Sequence, residues 1–154
     1  MRPSPRKYVL DTHLFVDGFR DAASNEALQR FHRLFAPFEY LSVVVAQELR
    51  SGAKSLDDRS ALERHVLDVF ERAGRTIAPS AAAWHRSGDV LAEMARKDGL
   101  ELARVTKSFA NDILLAISCR DAGSVLITGN TRDFKRIRRI VPFEFEAPWP
   151  WSTR

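Results

Sequence analysis

The sequence predicts a single α/β domain in which a central parallel β-sheet is flanked by α-helices. Three observations carry this reading. Short β-rich runs alternate with longer segments of helical periodicity, the pattern of strand–helix–strand crossovers. The chain of 154 residues has the length of one ordinary domain, enough to build a core without disulfide staples. Acidic residues stand where β-rich runs give way to helical ones, and open parallel sheets bind their ligands there. The core covers about residues 7–146, and a Pro/Trp tail covers 147–154.

Tyr8 to Leu10 reads as the first strand. Helical material follows from about Thr12 to Phe35, and Pro37 ends it because proline has no N–H to extend the ladder. Tyr40 to Val43 is a second β-rich run leading into the helix of Glu48, which stops at Gly52. From Leu56 to Ala73 the positions Leu62, Val66, Val69, Phe70 and Ala73 keep the spacing of an amphipathic helix, closed by Gly74. Thr76-Ile77-Ala78 is a third strand. Ser80 then caps a helix running to about Lys97, with Trp84, Gly88, Leu91 and Ala95 on its inner side. Ser108 caps the helix of Asp112, which ends near Gly123. Val125 to Thr128 is the fourth strand, and Asn130 or Thr131 opens a last, basic helix. Phe143-Glu144-Phe145-Glu146 alternates like a half-exposed edge strand. The tail Pro148-Trp149-Pro150-Trp151 cannot lie inside a sheet, so it packs across the domain or serves an interface.

Composition narrows the class. Apolar residues make up 45% of the chain, as in globular proteins, and the longest apolar run is far too short to span a bilayer. The basic stretch Met1 to Lys7 runs straight into a strand pattern without the apolar stretch and cleavage site of a signal peptide, so a cytoplasmic location is expected. Cys119 is the single cysteine, which excludes an internal disulfide and a cysteine-based zinc cage and reads as a small core residue. Twenty-four Lys and Arg against 20 Asp and Glu give a net charge of +4 and a pI of about 9.6, a balance suited to a polyanionic partner.

The acids Asp11, Glu48, Asp112 and Asp133 are each tied to an otherwise apolar element. At about 100° per residue, Glu48 projects between Val44 and Val45, with Gln47 and Arg50 on the outer side. Asp112 falls on the side of Leu115, Ala116 and Cys119 by the same construction. An ionised carboxylate buried without a partner costs several kcal/mol or takes up a proton, and a divalent cation removes that cost. Each acid also has a plainer explanation. Asp11 fits an N-cap, Asp112 and Asp133 fit the first turn of a helix, and Glu48 fits an ion pair with a distant arginine. His13, His32, His65 and His85 lack the spacing of a zinc helix, and His13 alone is near a site acid. No serine-nucleophile elbow and no phosphate-binding Gly-Lys-Ser/Thr loop is present.

Four local patterns, Val9-Leu10-Asp11-Thr12, Gln47 to Gly52, Asn111 to Ala116 and Ile127 to Phe134, occur in an order and spacing that resembles the PIN-domain family, in particular its VapC-type toxin ribonucleases. The resemblance covers Tyr8 to Phe145. It implies a PIN-like fold and a Mg²⁺- or Mn²⁺-dependent endoribonuclease, the toxin of a type II toxin-antitoxin pair, with Asp11, Glu48, Asp112 and Asp133 as the acidic site. Thr12, Thr128 and Asn130 match supporting positions. A small antitoxin protein that blocks the acidic groove and a homodimer are implied as partners. His13 departs from the Ser, Asn or Cys common after the Asp-Thr pair.

Hydrolysis of an RNA phosphodiester needs a nucleophilic water, an in-line phosphate and relief of charge on the phosphoryl oxygens, which divalent ions on oxygen ligands supply. Asp11 and Asp112 are the expected principal ligands and Asp133 an additional one, direct or through water. Glu48 orients or deprotonates the attacking water, or holds a second ion. Arg136 and Arg139 on the basic helix, with Lys107 and Arg104, are candidate phosphate contacts, the alternative being a solvated helix face. Two rival functions stay open: a catalytically silent PIN scaffold that binds RNA or protein, and a receiver-type phosphoacceptor domain.

Overall fold

The computed structural model describes residues 6–153; the first five residues of the basic stretch Met1 to Lys7 lie outside them. Five parallel strands form one sheet in the order β3-β2-β1-β4-β5. Their bounds are β1 Lys7–Leu10, β2 Glu39–Ser42, β3 Thr76–Ile77, β4 Ser124–Ile127 and β5 Glu144–Glu146. The inner strands β1 and β4 pair from Lys7↔Ser124 to Leu10↔Ile127. Val9, Leu10, Leu126 and Ile127 are essentially inaccessible to solvent. A strand buried on both faces reads as a continuous apolar run, as Val125-Leu126-Ile127 does. The order also excludes the receiver-type alternative, whose sheet runs 2-1-3-4-5.

Helical crossovers join the parallel strands, as parallel pairing requires. After β1 come α1 (Thr12–Arg20) and α2 (Ala22–Phe35) in place of one helix. Asp21 makes the break, ending α1 in an extended conformation and capping α2 through the Ser24 N–H at 2.7 Å. Pro37 sits in a 3-10 turn, Ala36–Phe38, that delivers the chain to β2. Ser42 caps α3 (Val43–Gly52), the helix of Glu48.

The segment predicted as one amphipathic helix is helical throughout, but a π turn at Glu63–Leu67 separates α4 (Leu56–Leu62) from α5 (Asp68–Arg72). The extra residue in that turn shifts the inner face, so Leu62, Val66, Leu67 and Phe70 are buried while Val69 and Ala73 are exposed. Ser80 caps α6 (Ala81–Lys97) as expected, bonding the Ala83 N–H at 3.0 Å. Its inner stripe is nevertheless Ala83, Val90 and Met94; Trp84 is 60% exposed and Gly88 faces solvent. Two stripes of equal period lie one residue apart on this helix, and packing of α6 against α7 (Lys107–Ala122) selects the earlier. Thr106, not Ser108, caps α7 by accepting from the Phe109 N–H.

Every residue of α7 from Asp112 to Cys119 is buried, which makes it the central helix of its layer and Cys119 a core residue. It ends on Gly123 at φ 66°, left-handed backbone that glycine adopts without strain. A Cβ there would meet nothing within 4 Å, so Gly123→Ala isolates the backbone cost. Urea unfolding of that variant should show a loss of about 1–2 kcal/mol.

The last helix, α8 (Thr131–Arg138), leads to the edge strand β5, which Arg6 secures through ion pairs to Glu144 and Glu146. The Trp/Pro tail packs across the domain. Trp149 lies 5.5 Å from Phe31 of α2 and stacks on Trp151, whose ring carries the Arg30 guanidinium at 4.5 Å. Among the described residues no helix is long and apolar enough to cross a membrane.

Candidate functional site

Strand order reverses between β1 and β4, and a crevice opens at their carboxyl ends. Asp11 follows β1 directly and Thr128 follows β4. The Asp11 N–H donates to the Ile127 carbonyl at 2.9 Å, which fixes the two strand ends against each other. Glu48 enters from the side of α3 and Asp112 from α7. Asp11, Glu48 and Asp112 line one open cavity of about 600 Å³ together with Thr12, His13 and Asn130.

Each carboxylate is held by a named donor. Asp11 Oδ1 accepts from the Thr12 N–H at 2.8 Å and Oδ2 from the Thr128 hydroxyl at 2.7 Å. The Thr12 hydroxyl donates to Glu48 Oε1 at 2.9 Å. The Asn130 side-chain amide donates to Asp112 Oδ2 at 3.3 Å and to Asp133 Oδ2 at 3.2 Å. Thr12, Thr128 and Asn130 therefore all touch acids. Asn130 precedes α8 without capping it, because its side chain is engaged by the two carboxylates.

Asp133 itself faces an adjoining pocket of about 410 Å³ with Asp98, Arg132, Arg136 and Arg139. One amide thus joins an acidic cavity to an arginine-rich one. Arg136 reaches Asp98 at 3.9 Å and lies over the Phe109 ring. Arg104 pairs with Glu101 at 2.9 Å in a separate 3-10 turn.

Charge is unbalanced in the acidic cavity. Burial pushes the Asp112 carboxyl up to about 8, with Asp11, Glu48 and Asp133 adding repulsion. Burial, then Asp11, also raises Glu48, against the Thr12 hydroxyl, the Lys107 charge and the Asn111 amide. Contact with the Asp11 carboxylate raises His13, and burial opposes this. Among the described residues no lysine or arginine forms an ion pair with the four acids; Arg50 pairs with Glu63 instead of Glu48.

The plainer explanations fare differently. Asp11 does bond the first N–H of α1, but its second oxygen is turned to Thr128. Asp112 is the sixth residue of α7 and so lies beyond the first turn, where the helix dipole acts. Asp133 does lie in the first turn of α8. Among the described residues no arginine pairs with Glu48.

The donor set is made of oxygens, the ligands that hard divalent cations take. Among the described residues no three His, Cys, Asp or Glu side chains are already arranged to enclose an ion. Mg²⁺ keeps several waters and takes one or two carboxylates, and Mn²⁺ accepts the same oxygen ligands. Asp11 and Asp112, buried and facing one cavity, match that demand.

Asp17, Arg20 and Ser108 also line the cavity, unanticipated in that role. The spacing of residues 13, 17 and 20 along one helix face was the available signal for Asp17 and Arg20.

A family model described as PIN domain matches residues 8–140. Comparison with curated proteins finds no match. Among solved structures the chain is similar to a chain of the DNA-bound VapBC from Salmonella typhimurium, at 24% identity and TM-score 0.69 over 93% of this chain and 98% of that one. A chain of VapBC2 from Rickettsia felis, bound to a DNA fragment from its promoter, is 25% identical with TM-score 0.60 over 92% and 98%. A chain of a toxin-antitoxin complex from Klebsiella pneumoniae is 20% identical with TM-score 0.58 over 83% and 90%. At these identities the likeness is one of fold, whereas the family model spans most of the sequence and all four acids: the chain belongs to the PIN-domain family.

Proposed function

We propose that the protein is a Mg²⁺- or Mn²⁺-dependent endoribonuclease, the toxin of a type II toxin-antitoxin pair acting in the cytoplasm. The observation that carries the catalytic part is the convergence of Asp11, Glu48 and Asp112 on one open cavity, with no lysine or arginine among the described residues ion-paired to them. In this reading Asp11 and Asp112 hold the ion, and Asp133 contributes from beyond Asn130. When bound, the ion relieves the charge that develops on the phosphoryl oxygens of the scissile bond. Glu48, fixed by the Thr12 hydroxyl, orients the attacking water and takes its proton.

The toxin part is supported by the neighbours of the same fold, which include VapBC complexes and one described as a toxin-antitoxin complex. Partners on this reading are RNA, a cognate antitoxin and a second copy of the chain. A groove of about 790 Å³ shares Val16, Arg20 and Glu48 with the acidic cavity and adds Phe19, Leu49 and Leu62. An antitoxin segment seated there by apolar contacts would lie across the mouth of the site.

Purified protein should cut RNA in Mg²⁺ or Mn²⁺ and stop when the ions are chelated. Uncut RNA in the presence of ions would favour the silent-scaffold alternative, and cutting after exhaustive chelation would sink the metal mechanism.

In the same reading Arg136 and Arg139 contact the RNA backbone beside Asp133, offsetting repulsion between phosphates and acids. Replacing both with Gln in an Asp11→Asn background should flatten the salt dependence of RNA binding, by about one unit of log–log slope per lost contact and somewhat less on single strands. An unchanged slope would make this helix an ordinary solvated face.

A further inference from the structure

His13 reaches from the start of α1 across the end of the sheet. Its Nε2 accepts a hydrogen bond from the Gly129 N–H at 3.0 Å, and its Nδ1 lies 3.5 Å from Asp11 Oδ2. An acceptor at Nε2 assigns the proton to Nδ1, facing the carboxylate. A Cβ on residue 129 would stand 2.9 Å from Nε2, so the approach requires glycine at that position.

The next residue in the chain is Asn130, whose amide joins Asp112 to Asp133 by bonds at the long end of the normal range. A small shift of the turn would break either bond. The Asn130 N–H donates to Thr128 Oγ1 at 3.0 Å, and that hydroxyl in turn donates to Asp11. Residues 128–130 are therefore tied to Asp11 on one side and to Asp112 on the other, and His13 is the one side chain on α1 bonded to their backbone. An aspartate or glutamate acceptor at position 13 would add negative charge to a cluster that already repels itself. The imidazole supplies a neutral acceptor of sufficient reach.

We propose that His13 is a positioning residue of the acidic site. By accepting from the Gly129 N–H it fixes the turn at 128–130, and through that turn the Asn130 amide that sets the spacing of Asp112 and Asp133 relative to Asp11. The proposal rests on the metal-dependent nuclease reading of this cavity.

Three variants of the full chain test it. His13→Gln offers an oxygen near the place of Nε2, His13→Asn retains a donor at the place of Nδ1, and His13→Ala retains neither. In metal-free protein, amide NMR should show Gly129 hydrogen exchange faster by about tenfold in the Ala and Asn variants, the scale of one net hydrogen bond. The Asn130 side-chain resonances should move with it. Mn²⁺ affinity, read by calorimetry, should fall by a similar factor in those two variants and stay near the parental value in His13→Gln. Unchanged Gly129 and Asn130 signals in His13→Ala, or a His13→Gln protein that behaves like His13→Ala, would overturn the proposal. The amide readouts need neither metal nor RNA, so they decide it even if the parent fails to cleave, a failure that would count against the nuclease reading alone.

Discussion

The Asp11→Asn protein should fold like its parent and cleave RNA about a hundredfold more slowly or worse, the scale of losing one strong electrostatic contact in a transition state. The geometry explains why the fold survives. An asparagine oxygen still accepts from the Thr12 N–H, and the Thr128 hydroxyl, rotated, can accept from the new amide in place of donating to Oδ2. What is lost is the negative charge at the cavity. Toxicity on expression should fall in parallel. A well-folded Asp11→Asn protein with near-parental cleavage would reduce Asp11 to a helix cap.

Mn²⁺ should stabilise the protein, because an ion at the cavity offsets the burial and, after it, the acid repulsion that hold Asp112 at about 8. At a hundred times its dissociation constant the expected gain is about 2.7 kcal/mol, or about 5–10 °C in melting temperature for a chain of this size. Asp112→Asn should do two things at once. It replaces a carboxyl that burial and three neighbouring acids keep protonated up to about 8, but that the unfolded chain would ionise, so near neutral pH the metal-free protein should melt higher than its parent. It also removes a ligand, so the Mn²⁺-dependent rise should largely disappear. A parent protein whose melting is indifferent to Mn²⁺, or an Asp112→Asn variant that keeps the full rise, would count against Asp112 as a ligand.

How much of this was legible in the sequence follows from the range over which each signal acts. Short β-rich runs located all five strands to within a residue or two, since strand burial is written into consecutive side chains. The phase of α3 put Glu48 inward with its apolar neighbours, and Ser80 announced α6, because caps and faces are local properties. Asp11 at the end of β1 and Asp133 in the first turn of the helix after β4 were legible for the same reason.

Contacts between elements were not. Asp21 splits the first helical stretch because it caps α2 through Ser24, although the residues on either side are compatible with one helix. Packing against α7 chose Met94 over Trp84 from two equivalent stripes, and a π turn carried Val69 outward. Asn130 read as a helix opener, yet two carboxylates from different elements claim its amide. The sequence alone determined which residues carry strand, helix and negative charge. Only the tertiary structure decided strand order, the division of the acids between two joined pockets and the reach of His13 to Gly129, because each depends on segments far apart in the chain meeting at the end of the sheet.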